Sequence, residues 1–364
     1  MRARVAGGAL LAALATALVG VGSAGADGEV TARVMYYKEQ ATRVVQPMLD
    51  GIFDAGDRGT VDAHFLVDAI TSASAATGAS GVAFTEKRYE AGATYRRQLD
   101  HLRLGGTARY STEPDYTSVY GAVDGDLELL DKNFTVSATL GVGRDTVTNA
   151  GAPPMVPRIE GHLTTLLGSL AVSQILSEHG VLGVSYDLIR LDGYQQNPYR
   201  VVAAGGTLIA ERHPDLRTRH ALAASVKWFF PSITTTVIGQ YRFYTDTWDL
   251  HAHTPEVRVI KDVGDWITLG ARYRYHHQDA ASFFATIYPS SDPMVAPYVS
   301  DDPKLSAFDG HLIGGRVEIA GGAVGAGGRL EQARLELVGE YVIQHNHFGN
   351  GVVSYVALVL PFEY

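Results

Sequence analysis

The chain of 364 residues contains no cysteine. That excludes disulfides, thiol nucleophiles, thiolate metal sites and a lipid anchor on an N-terminal cysteine. Beyond residue 26 there is also no run of about 18 apolar residues, so no transmembrane helix is encoded. Excess positive charge is missing too. The formal charge is −9, and the first 26 residues hold Arg2 and Arg4 but no acid, which leaves −11 for the remainder. A chain this acidic offers no broad basic face to nucleic acid. Its charges are interspersed rather than gathered in blocks, which argues against a charged disordered tail. No Gly-x-Ser-x-Gly elbow is present, and no motif calls for a cofactor.

What is present begins with a leader. Arg2 and Arg4 precede an apolar stretch from Val5 to Val21, and Ala24-Gly-Ala26 follows. This order reads as a secretory signal peptide over residues 1–26, leaving 27–364 as one domain. In that domain the apolar residues recur every second position. Phe134, Val136, Ala138, Leu140 and Val142 share one face, and Thr135, Ser137, Thr139, Gly141 and Gly143 the other. The same alternation marks 61–70, 88–96, 102–111, 266–276 and 334–344. It is strand periodicity, sustained over about ten residues, the length at which a tilted strand crosses a bilayer.

The closing segment from Ser354 to Tyr364 carries the pattern furthest. Val356, Leu358, Leu360, Phe362 and Tyr364 lie on one face and Tyr355, Ala357, Val359, Pro361 and Glu363 on the other. A last strand ending on an aromatic residue resembles those of bacterial outer-membrane barrels, where the barrel assembly machinery reads it. The expected fold is therefore all-β: a transmembrane, antiparallel, up-and-down barrel in outer-membrane lipid. Short turns are predicted at Asp54–Gly59, Leu99–His101, Asp131–Asn133, Ser177–Gly180, Pro231–Ser232, Val263–Asp265 and Gly321–Gly328. Long outer loops are predicted at Ser72–Glu86, Arg144–Gly161, Asp192–Arg217 and His276–Gly310. Counting back from Tyr364 gives fifteen candidates, the first at Arg43–Phe53, which contains Pro47. Bacterial barrels have an even number of strands. Either Val30–Tyr37 is a further first strand, making sixteen, or one weak candidate is false, making fourteen. Sixteen is the expectation.

With this topology, Tyr, Trp, Arg and acidic residues gather at the outer mouth. Arg88, Glu90, Asp115, Tyr199, Arg200, Arg242, Asp246, Trp248, Arg272 and Arg274 are the candidates to line it and orient a small polar solute. A charged lumen needs internal pairing in any case, so a structural salt-bridge network is the alternative. His251 and His253 share a strand face near Asp246, with His276 expected on the next strand; imidazole and carboxylate suit a transition metal, and these three are the weak metal candidates. Asp246, His253 and Asp115 also invite comparison with rim-site outer-membrane proteases, though no spacing demands it. The sequon at Asn133 falls in a predicted periplasmic turn and reads as chance.

The mouth clusters carry a resemblance as well. The stretches are Tyr37-Lys-Glu39, Glu113 to Ser118, Lys132-Asn133, Ser173 to Ser177, Gly193-Tyr194 with Asn197 to Arg200, Arg212-His-Pro214 with Arg217, Tyr241 to Trp248 with His253-Thr254, and Arg272 to Gln278. Together, across Tyr36 to Tyr364, they resemble the bacterial outer-membrane barrel family designated domain of unknown function three-five-seven-zero. Phe243 and His276 depart from its pattern, which favours tyrosine. The resemblance implies the fold and carries no activity. The sequence alone thus reads as a channel or transporter rather than an enzyme, with a plugged structural barrel and a rim enzyme as alternatives.

Overall fold

The structure, a computed structural model of the chain, describes residues 28–40, 42–72, 84–152, 158–346 and 348–362. The expected signal peptide and Glu363-Tyr364 lie outside the described residues. The strands are β1 (Gly28–Lys38), β2 (Thr42–Asp54), β3 (Gly59–Ser72), β4 (Phe84–Leu99), β5 (Leu102–Glu113), β6 (Tyr116–Leu129) and β7 (Phe134–Thr148). They continue with β8 (Glu160–Ser177), β9 (Gly180–Gly193), β10 (Val201–Ala204), β11 (Thr207–Ala210), β12 (Leu216–Phe230) and β13 (Thr235–Asp246). The last are β14 (His251–Val263), β15 (Ile267–Gln278), β16 (Ile287–Tyr288), β17 (Phe308–Ala320), β18 (Arg334–Gln344) and β19 (Gly351–Phe362).

Sixteen of these strands close into one antiparallel barrel. Wall strands pair in chain order, with β9 meeting β12 and β15 meeting β17, and β1 seals the ring against β19. The other three strands leave the wall and form a small sheet in the order β11-β10-β16. The segment around Val30–Tyr37 is the additional first strand, and fourteen is excluded. Closure follows from the solvent. Hydrocarbon offers backbone N–H and C=O groups no partner, so every edge must be paired. The seam does so over eleven registered pairs, from Gly28 opposite Phe362 to Lys38 opposite Val352.

Three prolines sit inside wall strands, of which Pro361 of β19 lies opposite Glu29 of β1, past the end of the ladder to β18. Pro47 of β2 lies opposite Val34 of β1, while the ladder towards β3 skips Gln46 and Pro47. The ladder from β14 to β15 likewise skips Thr254 and Pro255. A nitrogen without hydrogen is tolerated where the ladder is locally open.

The period-two pattern sorts the side chains. On β7, Ala138, Leu140 and Val142 point outward, Leu140 being 66% exposed. On β19, Val356 and Leu358 point outward while Ala357 and Val359 are buried. Small residues on the lumen face make room for large neighbours: a Cβ at Gly105 would come within 2.5 Å of an Asp124 carboxylate oxygen. The wall strands run from 11 to 18 residues, enough for each to cross a bilayer when tilted.

The turns at the periplasmic end fall where predicted, although the glycine-rich one extends to residue 333 through two short 3-10 turns, Gly321–Val324 and Gly328–Glu331. The outer connections are of two kinds. Those at 73–83, 149–159, 194–215 and 279–307 are long, whereas Pro114-Asp115 alone joins β5 to β6, and 247–250 joins β13 to β14. Arg144 and Asp145, expected in a loop, belong to β7.

Because Leu140 faces lipid near the middle of β7, Leu140→Arg should destabilise the folded barrel by about 2–4 kcal/mol. Thr139→Arg, on the lumen face of the same strand, should leave stability nearly unchanged. Urea unfolding in lipid vesicles measures both; equal effects would contradict the assignment of faces.

Candidate functional site

The loops 194–215 and 279–307 fold together and lean inward over the outer rim. Strand β10 pairs antiparallel with β11 and parallel with β16. Val202, Ala204, Tyr288 and Val299 form the core of this small unit, with Val202 and Val299 fully buried. The Tyr288 hydroxyl accepts from the backbone N–H of Ala285 (3.0 Å) and Ser300 (2.8 Å) and donates to the Phe283 carbonyl. A second core of Trp248, Leu250, Ala252, Ala281 and Leu305 fastens the unit to the wall. Gln278, on the lumen face of β15, donates to the carbonyls of Lys304 (3.0 Å) and Ser306 (2.7 Å). On the far side, Tyr199 donates to the Asp115 carboxylate and accepts from Gly151 N at 3.1 Å. The lid thus reaches from the β5–β6 turn to β15.

Charge locks it in place. Arg200, 7% exposed, sits 3.6 Å from each of Glu211, Asp301 and Asp302. Asp246 accepts from Arg217 Nε (2.9 Å), the Tyr244 hydroxyl (2.6 Å) and Trp248 N (2.8 Å). The Arg217 guanidinium lies 4.0 Å from the Trp248 ring centroid, and the rings of His213 and Phe283 are each 5.2 Å from that of Trp248. Burial pushes the Asp301 carboxyl up even though Arg200 pulls it down. Burial, with the adjacent Asp115, also raises the Tyr199 phenol.

The ten candidate residues therefore divide. Asp115, Tyr199, Arg200, Asp246 and Trp248 are parts of the lid and its attachment. Arg88, Glu90 and Arg272 face the lumen in pairs: Arg88 with Asp68 at 2.7 Å, Glu90 with His64 at 3.0 Å, and Arg272 with Glu256 at 2.7 Å and Glu340 at 2.9 Å. Arg242 and Arg274 face the lumen with no hydrogen-bond or ion-pair partner among the described residues. Sequence reasoning missed Glu211, Asp301 and Asp302, which lie among loop residues without periodicity. Arg217 was visible only as part of the resemblance.

A lumen cavity of about 700 Å³ lies against β4 to β9. Its wall includes Glu90, Arg96, Arg103, Arg109, Asp124 and Asp126. Several of these are paired with each other, as Arg103 with Asp126 at 2.7 Å and Arg96 with Asp124 at 3.4 Å.

The metal candidates do not meet. His251 and His253 lie on the outward face of β14, whereas His276 and Asp246 lie on the lumen face, since alternation sends odd and even positions of β14 and β15 to opposite sides of the wall. The proposed rim set of Asp246, His253 and Asp115 is divided by the same wall. Among the described residues, no three His, Asp or Glu side chains gather as a metal site. His253 instead hydrogen-bonds the Tyr241 hydroxyl at 2.6 Å. The pairs Tyr186–His220 (2.7 Å) and Tyr273–His311 (2.9 Å) repeat that arrangement around the outer face. These amphipathic rings form part of an interfacial girdle. His276 hydrogen-bonds Thr254 at 2.9 Å.

Truncating a buried Trp, or removing one partner of a buried ion pair, costs about 3–5 kcal/mol. Trp248→Ala and Asp246→Asn should each loosen the lid on that scale. Trypsin should then cut faster after Arg212 and Lys304, while the barrel keeps its resistance to unfolding in unheated detergent. Unchanged cleavage in both variants would remove the lid from this role.

Residues 155–320 match the model of a family described as protein of unknown function (DUF3570). The match is narrower than the resemblance traced above; it holds β8 to β17 with the lid loops and leaves out the stretches at Tyr37, Glu113 and Lys132. No curated protein matches the chain. Among solved structures, a bacterial polysaccharide outer membrane secretin is similar with a TM-score of 0.51 at 9% identity, over 93% of this chain and 98% of that one. The outer membrane protein OprD from Pseudomonas aeruginosa has a TM-score of 0.49 at 10% identity, over 93% and 94%. A BenF-like porin from Pseudomonas fluorescens has 0.48 at 10%, over 93% and 99%. At such identities the likeness is one of fold. A closed sixteen-strand wall, apolar outside and polar within, makes this chain a bacterial outer-membrane β-barrel, and its residues 155–320 match the DUF3570 family model.

Proposed function

We propose that the barrel is a channel for small polar solutes, with its outer mouth gated by the folded lid. The observation that carries this reading is the lumen itself: a cavity of about 700 Å³ lined by charged side chains shares the interior with Arg242 and Arg274, which have no hydrogen-bond or ion-pair partner among the described residues. A barrel with a purely structural interior has reason to fill or pair such groups, since unpaired charge away from bulk water is costly. The lid supports gating because its own compact core and the Arg200 cluster hold it together, so it has the parts to move as a unit. Insertion by the barrel assembly machinery fits the alternating last strand.

A second reading keeps the lumen sealed. It is favoured by the paired network of Arg272 with Glu256 and Glu340, extended by Arg316 with Glu336 at 2.6 Å. Rim catalysis has no comparable support, because the wall divides its proposed residues.

Planar-bilayer recording separates the two readings. A channel should give discrete current steps above leak, and Trp248→Ala should lengthen its open periods. A silent membrane at every voltage, for both wild type and variant, would overturn the channel and favour the sealed barrel.

A further inference from the structure

Charge is unevenly distributed around the lumen. The inward face of β12 to β15 carries Arg217, Arg219, Lys227, Arg242, Arg258, Arg272 and Arg274 against Asp246, Glu256 and Asp262. Two of those acids are already engaged: Asp246 holds Arg217, and Glu256 holds both Arg258 and Arg272. Asp262 accepts from Thr268 near the periplasmic end. Arg219, Arg242 and Arg274 remain with no hydrogen-bond or ion-pair partner among the described residues, and the Arg219 Nε is buried without one.

The facing wall, β2 to β5, is acidic on balance: its lumen face carries Asp50, Asp54, Asp62, Asp68, Glu86, Glu90 and Glu113 against Arg88, Arg96, Arg103 and Arg109. In a ring of sixteen, strands eight places apart are opposite, so β4 faces β14 and β5 faces β15. Glu86 on β4 and Glu113 on β5 point into the lumen, and neither has a hydrogen-bond or ion-pair partner among the described residues. An excess of cations thus confronts an excess of carboxylates across an interior bounded by a low-dielectric wall, which concentrates the field between them.

From this we infer that the lumen is a filter for small zwitterions, solutes bearing both a carboxylate and an ammonium group. The arginines on β12, β13 and β15 receive the carboxylate, whose geometry matches the guanidinium fork. The field from the opposite carboxylates turns the ammonium away from the arginines and towards Glu86 and Glu113. A plain anion gains the first interaction but meets repulsion from the acidic wall, and a plain cation the reverse. The inference rests on the channel reading.

Proteoliposomes containing the whole barrel test it with three solutes of similar size: alanine, lactate and glycerol. Wild type should admit alanine faster than either of the others. Arg242→Gln combined with Arg274→Gln should slow alanine about tenfold relative to glycerol, the scale of one lost charge-assisted hydrogen bond. Glu113→Gln should narrow the preference for alanine over lactate. Retained resistance to unfolding in unheated detergent confirms that the variants are folded. If glycerol enters and lactate outruns alanine, or if the arginine variant leaves the ratios unchanged, the filter is wrong while the channel stands. If no solute enters, even with the lid loosened by Trp248→Ala, the channel reading fails and the filter with it.

Discussion

Backbone hydrogen bonding in a solvent that supplies no partners is the constraint on which the whole molecule rests. An unpaired backbone group in hydrocarbon costs several kcal/mol. An open edge as long as β1 is therefore prohibitive, and the first strand must find the last. Met by antiparallel pairing all round, that requirement gives an even strand number and puts both ends of the wall on the same side. It also fixes which connections face outward, and so where the lid has to be built. Pro47 and Pro255 show how tightly the rule is applied. Each sits where one ladder is interrupted locally while the other neighbour still pairs.

Closure has a second consequence. Once the ring is sealed, period-two alternation gives every wall residue one of only two environments. This explains at once the exposed aliphatic belt, with Leu140 and Val356 in it, and the lumen rich in charge. It also explains why residues close in sequence can be far apart chemically. Tyr241 and Arg242 are neighbours in the chain, yet one joins the outer girdle through His253 and the other points into the lumen. Sequence proximity between Asp246 and His253 is misleading for the same reason.

The wall was readable because its signal is local: each strand announces its face within a few residues, and the turns between strands are short. The seam was the least readable part, since β1 is recognised as necessary by parity more than by pattern. The lid could not be read. Arg200 meets Asp301 and Asp302 across about a hundred residues of chain, and strands β10, β11 and β16 are too short to show a period. Residue type alone put Arg200, Asp246 and Trp248 with the solute-facing groups, because a buried lock and an exposed binding site draw on the same aromatic and charged side chains. Only burial and partners tell them apart. By that measure Arg242 and Arg274 are the two members of the original set with no structural employment.

The lock and the lumen differ in how they handle charge, and the difference bears on function. In the lid, Arg200 is surrounded by more carboxylate than it can neutralise, and burial raises Asp301 against its pull. Such a cluster is held by packing as much as by attraction: Trp248 and the core beneath it keep water out, and the ion pairs are worth more for that exclusion. In the lumen Arg219, Arg242 and Arg274 have no hydrogen-bond or ion-pair partner among the described residues, and the Arg219 Nε is buried without one. A fold able to assemble a buried lock from residues a hundred positions apart was under no geometric compulsion to leave three arginines unmatched on one wall. Their isolation separates them from the acids across the ring, and that separation is what creates a field there. If the opposing charges were paired, the barrel would be more completely neutralised and the field would vanish.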